Sequence, residues 1–163
     1  MDAAFGEALI RLLPHLRRYA LSLSRRADLA DDLVQTTVER AIRASASYDP
    51  AVRLEPWLFR ITRNAFIDMT RRQRTEGVQV DVFEMPEALS DDGDRAVEAR
   101  LMLRATQAAM KDLPPEQAEI LHLICVEELS YAEAATVLDI PKGTVMSRLS
   151  RARLALSERL GIK

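Results

Sequence analysis

The chain has 163 residues, 23 basic and 25 acidic, so it holds one ordinary domain or two small ones at a formal net charge of only −2. Hydrophobic residues make up 48%, enough for a packed core, while 5% aromatics and five glycines speak against an aromatic-rich, turn-rich sandwich. No apolar run approaches the roughly eighteen residues that span a membrane, the start lacks a basic-then-apolar leader, and the single cysteine, Cys125, excludes an internal disulfide or a cysteine-based zinc site and fits a cytoplasmic protein.

Apolar spacing is helical throughout, which predicts an all-α fold. Leu9, Leu13, Leu16, Ala20 and Leu23 mark a first helix, with a break or kink expected near Leu13 because Pro14 follows. A second helix is expected from about Asp28 to Ala44, with Ala30, Leu33, Val34, Thr37, Val38 and Ala41 inward and Asp28, Asp31 and Asp32 in its first turns, where carboxylates suit the helix dipole. Residues 45–55 read as a loop around Asp49-Pro50. Pro56 then suits the first turn of a third helix, whose inward stripe is Trp57, Leu58, Ile61, Ala65 and Met69.

From about Glu76 to Asp94 periodicity fails, and the acidic composition with Pro86 and Ser90-Asp91-Asp92-Gly93 reads as a flexible linker. Its apolar island, Val78, Val80, Val82, Phe83 and Met85, is either incidental or a docking segment. A helix over about Arg95 to Lys111 follows, then Leu113-Pro114-Pro115 as a break and a helix from Glu116 to Val126. Ser130-Tyr131-Ala132-Glu133 is a capping box, opening a short helix with Tyr131, Ala134, Ala135 and Leu138 inward. After the turn Asp139-Ile140-Pro141, a helix from Lys142 to Leu160 turns Val145, Leu149, Ala152, Leu156 and Leu160 inward.

The distribution of charge says more than its total. Residues 1–75 carry a net +4, residues 76–99 a net −7 and residues 100–163 a net +1. Lys142 to Lys163 alone holds six basic residues against Glu158. A capped short helix, a tight turn and a longer basic helix make a helix-turn-helix, whose second helix enters a major groove. On that helix Lys142, Arg151 and Arg153 suit phosphates, Arg148 reaches a guanine edge or a phosphate, and Thr144 and Ser147 are short donors that permit close approach. The bland alternative is an amphipathic helix whose arginines face water. A second cationic face lies on the third helix, where Arg60, Arg63, Asn64, Arg71 and Arg74 stand opposite the apolar stripe, with Ile67 as an exposed apolar neighbour. Its alternative is likewise a solvated face. The second helix is the reverse: Asp28, Asp32, Gln35 and Glu39 point outward with Asp31 at the edge, which suits a basic protein groove or simply solubility. His15 and His122 are too few for a His-rich metal site and read as structural; Cys125 reads as a buried small hydrophobe and Trp57 as core. Nothing calls for a cofactor or a metal, and little supports an enzyme.

The order Asp31-Asp32-Leu33-Val34-Gln35, Pro56-Trp57-Leu58-Phe59-Arg60-Ile61-Thr62-Arg63-Asn64, then Asp68 with Arg71-Arg72, resembles bacterial sigma factors. Leu113-Pro114, Ser130-Tyr131 with Glu133-Ala134-Ala135, and Gly143-Thr144-Val145 with Ser147-Arg148 complete a resemblance to the extracytoplasmic-function sigma factors of the sigma-70 family. Leu13-Pro14-His15-Leu16-Arg17 and Leu29-Ala30-Asp31-Asp32 resemble its alphaproteobacterial general-stress subgroup. The resemblance implies two helical domains, 1–75 for polymerase binding, −10 recognition and melting and 100–163 for −35 recognition, joined by an acidic linker over 76–99. It implies that Asp31, Asp32, Leu33 and Gln35 bind the clamp helices of the polymerase β′ subunit, and that Arg60, Arg63 and Asn64 contact the −10 element; Arg71 and Arg74 extend that cationic face. The Ser47-to-Leu54 loop would hold a flipped base, Lys142 to Arg153 would read the −35 element, and the C-terminal domain would also meet the β flap. Thr36-Thr37 follows Gln35 where the family usually places an acidic residue, which weakens the clamp face by one charge.

The reading that follows is a dissociable promoter-specificity subunit of RNA polymerase, controlled by an anti-sigma factor that clamps the two domains, with no catalytic residues and no membrane insertion. Capture of unstacked bases contributes about 1–3 kcal/mol per contact, less than opening several base pairs costs, so the free chain is expected to melt promoter DNA poorly. Two rivals differ in kind: a sigma-like mimic that sequesters an anti-sigma factor, and a stand-alone helix-turn-helix regulator that binds its operator without polymerase.

Overall fold

In the computed structural model of the chain the described residues are 2–76 and 94–161. They form seven α-helices and no strand: α1 (Ala3–Ser24), α2 (Ala27–Arg43), α3 (Leu54–Glu76), α4 (Asp94–Lys111), α5 (Pro115–Leu121), α6 (Tyr131–Leu138) and α7 (Lys142–Leu160). A 3-10 turn, Ser45–Ser47, follows α2 and a π turn, His122–Val126, follows α5. The apolar island Val78 to Met85 and most of the expected linker lie outside the described residues; from Asp94 onward the acidic stretch is already α4.

α1 begins where Asp2 accepts the Phe5 amide at 2.7 Å and ends at Arg25, which adopts a left-handed φ of 60° and returns its amide to the Leu21 carbonyl. The break expected at Pro14 is absent: α1 runs through it. Pro14 lies on the solvent side, and so does Ile10, whose carbonyl loses its partner, so the lost bond falls on the face open to water while Leu9 and Leu16 stay in the core.

α1, α2 and α3 pack on one another as an N-terminal unit. Ala20, Leu21, Ala30, Leu33 and Ala65 close its centre, small residues letting the backbones approach. The buried hydroxyls of Thr37 and Thr62 meet at 3.0 Å between α2 and α3, each also within 2.7 and 3.1 Å of the carbonyl four residues back, so two polar groups enter the core satisfied. In the C-terminal unit α5, α6 and α4 pack against α7 around Leu113, Ile120, Leu123, Val137, Leu138, Val145 and Leu149. Each such fully buried Leu, Ile or Val contributes about 1.5–3 kcal/mol over leaving it in water. The expected capping box is present: Ser130 Oγ accepts the Glu133 amide at 3.0 Å and Glu133 Oε1 accepts the Ser130 amide at 2.9 Å. Asp139, with φ 55°, turns the chain between α6 and α7.

The two units pack against each other, α3 on α6 and α1 on α5 and the π turn, and one apolar cluster runs through both. At its centre the Tyr19 ring lies edge-on to Phe59, with centroids 5.2 Å apart, and stacks on His122 at 5.8 Å. Cys125, expected to be buried, is exposed. The π turn is wider than the 3.6-residue turn assumed for Glu116 to Val126, and it carries Cys125 and Val126 off the buried side.

Candidate nucleic-acid and protein interfaces

Turning Val145, Leu149 and Ala152 into the core fixes the outward face of α7. Lys142, Ser147, Arg151 and Arg153 stand exposed on it, together with Gly143, Met146 and Leu154. Thr144 and Arg148 sit at the edge of this face, half-buried; the Arg148 side chain is 24% exposed and its Nη2 lies 4.0 Å from Glu116 Oε1, the outer limit of an ion pair. Ser147 differs from expectation: its hydroxyl donates to the Gly143 carbonyl at 3.1 Å, so it is free to accept but its proton is already used. A Cβ built on Gly143 would meet nothing within 4 Å. No contact within the chain therefore requires glycine in this first turn.

The face of α3 is divided. Arg60, Asn64, Arg71 and Arg74 are exposed, as the spacing predicts. Arg63 is not: its Nε donates to Glu119 Oε2 of α5 at 3.1 Å, and the pair is 25% and 11% exposed. Ile67, expected to be exposed, is half-buried. The loop before α3 is shaped by aromatics. Tyr48 packs on Trp57 at 5.1 Å and on Phe5 at 5.9 Å, its hydroxyl donates to the Val52 carbonyl, and Asp49 Oδ1 accepts the Ala51 amide at 3.0 Å. Trp57 is thus a half-buried member of this ring cluster rather than deep core. Between this loop and the start of α1 opens a cleft of about 430 Å³, lined by Asp2, Phe5, Ser45, Tyr48, Pro50 and Leu54. Arg53, at the end of the loop, donates to both oxygens of Glu133 on α6, at 2.9 and 3.1 Å.

On α2, Asp31, Asp32, Gln35 and Glu39 are exposed as expected, Asp31 held by Arg17 at 3.0 Å. Asp28 hydrogen-bonds Arg26, which draws its carboxyl below the usual range. Leu33 departs from the expected surface role: it is 2% exposed and forms the floor of a groove of about 440 Å³ between α2 and α3. The inward stripe and a surface contact compete for this one residue, and burial wins. Asp32, Gln35 and Glu39 rim the groove on one side and Met69, Arg72 and Gln73 on the other, the latter three missed from the sequence because they belong to a different helix.

A further set of polar residues joins the two units. Glu119 Oε2 accepts from Tyr19 at 2.6 Å as well as from Arg63. Burial, and then the Glu119 carboxylate, push the Tyr19 hydroxyl well above its ordinary pKa. Glu127, with its side chain only 1% exposed, lies 3.0 Å from His15, 3.1 Å from Arg18 and 3.2 Å from His122. Burial alone would raise its pKa; the hydrogen bonds of His122, His15 and Arg18 outweigh that and hold it at about 2, against 4.5 in water. The two histidines read as unrelated structural residues thus meet on one carboxylate. Among the described residues no His, Cys, Asp or Glu group is disposed to hold a metal ion, and no helix is long and apolar enough to cross a membrane.

Comparison with known proteins matches residues 9–76 to sigma-70 region 2 and residues 103–156 to sigma-70 region 4. The chain is 38% identical over 91% of its length to the ECF RNA polymerase sigma factor EcfG of Rhodopseudomonas palustris, covering 81% of that protein. It is 34% identical over 85% of its length to the ECF sigma factor SigM of Bacillus subtilis, covering 84% of it. Among solved structures it is similar to the sigma factor RpoE of Bartonella quintana, crystallised in complex with the anti-sigma factor NepR, with a TM-score of 0.83 and 34% identity over 99% of both chains. A score of 0.83 over 99% of both chains requires the two units to be disposed alike as well as folded alike.

Proposed function

The chain belongs to the extracytoplasmic-function sigma factors of the sigma-70 family, which direct RNA polymerase to promoters and start transcription there, and we propose that its two helical units divide that work. Residues 1–75 bind the polymerase clamp and handle the −10 element, residues 76–99 join the units, and residues 100–163 read the −35 element. The observation that carries this reading is the separation of two cationic helix faces, α3 and α7, onto different units, beside a carboxylate-rimmed groove on α2. Duplex DNA attracts the first kind of surface and repels the second, so the α2 groove suits a basic protein element. We assign it to the β′ clamp helices, with Asp31, Asp32 and Gln35 as its polar edge and Leu33 acting from below by shaping the floor.

On α7, Lys142, Arg151 and Arg153 fix register on phosphates, while Arg148, Thr144 and Ser147 lie near base edges. On α3, Arg60, Arg63, Asn64, Arg71 and Arg74 follow the −10 strand, and the aromatic-walled cleft beside the Ser47-to-Leu54 loop takes an unstacked base. The chain contributes binding and leaves the chemistry to the polymerase; its place of work is the cytoplasm. Similarity to a sigma factor solved with its anti-sigma partner supports control by such a factor, and similarity to EcfG supports the general-stress subgroup.

Run-off transcription with core polymerase tests the reading. A promoter-dependent transcript is expected, together with weak shifting of the same DNA by the free chain. No transcript would favour a mimic that only sequesters an anti-sigma factor. A tight, operator-specific shift without polymerase would favour a stand-alone regulator.

A further inference from the structure

We infer that Met146 is a base-reading residue of α7, its side chain packing on the 5-methyl group of a thymine in the −35 element; this rests on the assignment of α7 to that element.

Met146 is an apolar side chain set among cations. α7 buries Val145, Leu149 and Ala152, and Met146, beside the first of them, is turned outward and 49% exposed. Residues four and seven apart share one side of a helix. Lys142, one turn before Met146, and Arg153, two turns after it, therefore flank it on that side, and both are exposed. Lysine and arginine are long enough to reach the phosphates that wall a major groove, while the helix between those walls faces base edges. The apolar group that base edges display there is the thymine methyl; guanine, adenine and cytosine present hydrogen-bond donors and acceptors. A methionine offers only a weak acceptor, so its gain comes from the methyl.

The same turn has room for the contact and little else to read with. A helical side chain leans over the turn before its own, which here holds Gly143. A Cβ built on Gly143 would meet nothing within 4 Å, so neither Met146 nor any other described side chain has filled that space. The neighbouring hydroxyl, Ser147, already donates to the Gly143 carbonyl at 3.1 Å, and Thr144 is half-buried. An apolar contact is what this part of the helix has left to offer.

The test removes the methyl from the DNA and the side chain from the protein, singly and together. Core polymerase carrying the full chain selects a preferred −35 element from duplexes randomised over that region. Each thymine of the selected element, on either strand, is then replaced by deoxyuridine, which keeps the base pair and loses the methyl. Run-off rates at limiting polymerase complex are compared for the parent and Met146→Ala, an exposed position where the fold does not depend on the side chain.

The parent is expected to lose about fourfold at one thymine, the value of burying one methyl group. Met146→Ala is expected to be slower by at least that factor on the thymine duplex and indifferent to the exchange, so the two losses do not add. A selected element without thymine, a parent indifferent to every exchange, or a Met146→Ala variant as sensitive as the parent overturns the inference. In each of those cases transcription from the selected duplex leaves the sigma-factor assignment standing, while no transcript from any duplex removes both.

Discussion

α3 and α7 carry similar outward chemistry and differ in availability. On α7 the central arginine, Arg148, reaches one carboxylate among the described residues, Glu116 of the same unit, at 4.0 Å. On α3 the central arginine is held at 3.1 Å by Glu119, which arrives from the other unit. The cationic face of α7 is therefore presented by its own unit whatever the other unit does. The full cationic face of α3 is presented only if the two units part. A cationic stripe counted from sequence is thus a capacity to bind, and its use depends on which surfaces of the same chain cover it.

The junction between the two units also holds a second contact, at Glu127, that is sensitive to acid, and this gives the largest expected effect. Glu127 ionises at about 2 in the folded chain against 4.5 in water, because His15, Arg18 and His122 converge on it. A depressed carboxyl adds stability that is fully present above pH 4.5 and is lost as pH falls towards 2. Its size is about 2–3 kcal/mol, and its sign is fixed. Chemical denaturation of the parent should show that loss across this range, and Glu127→Gln should remove most of the pH dependence by lowering stability at neutral pH. A variant with an unchanged slope would mean that other carboxylates carry acid sensitivity and that the junction is not held by Glu127.

The sequence made each unit legible for local reasons and left their junction dark. A capping box spans three residues, a buried stripe repeats every three to four, and the turn at Asp139-Ile140-Pro141 is continuous in the chain; all are written within one helix of themselves. Arg63 and Glu119 are 56 residues apart and Tyr19 and Glu119 are 100 apart. No periodicity connects such partners, so Arg63 read as one more free cation and His15 and His122 as isolated histidines. Pro14 misled for a related reason: its cost depends on whether the freed carbonyl meets water, which the α1 sequence alone does not state. Leu33 obeyed its periodic position in the core over its place in a surface motif, and Cys125 escaped its periodic position because a π turn changed the period.

A smaller effect distinguishes the two faces at the level of DNA. Arg148→Ala should cost about 1–3 kcal/mol at one −35 position if the guanidinium reads a base edge, and the loss should appear in the polymerase complex as a change of preference at that position. A uniform loss across sequences, with a shallower salt dependence, would make it a phosphate contact like Arg151. Because the ion pair of Arg148 among the described residues is as long as 4.0 Å, its removal should change the stability of the free chain little. Arg63→Ala should instead loosen the junction with α5, so the same substitution made on the two faces has different consequences for folding.

Gly143 offers the finest test, because there stability and binding should move in opposite directions. It occupies the first turn of α7, where glycine costs about 0.5–1 kcal/mol relative to alanine, and nothing within 4 Å obstructs a methyl group. Its neighbours Lys142, Met146 and Ser147 are all exposed, so the space beside it belongs to whatever α7 docks against. Gly143→Ala should therefore raise the denaturation midpoint by a small, measurable amount. If DNA backbone approaches this turn closely, the same methyl should weaken −35-dependent transcription while the chain still binds core polymerase. A stabilised variant with unchanged promoter use would show that DNA keeps its distance from the start of α7, and would shift the reading surface toward Ser147, Arg151 and Leu154.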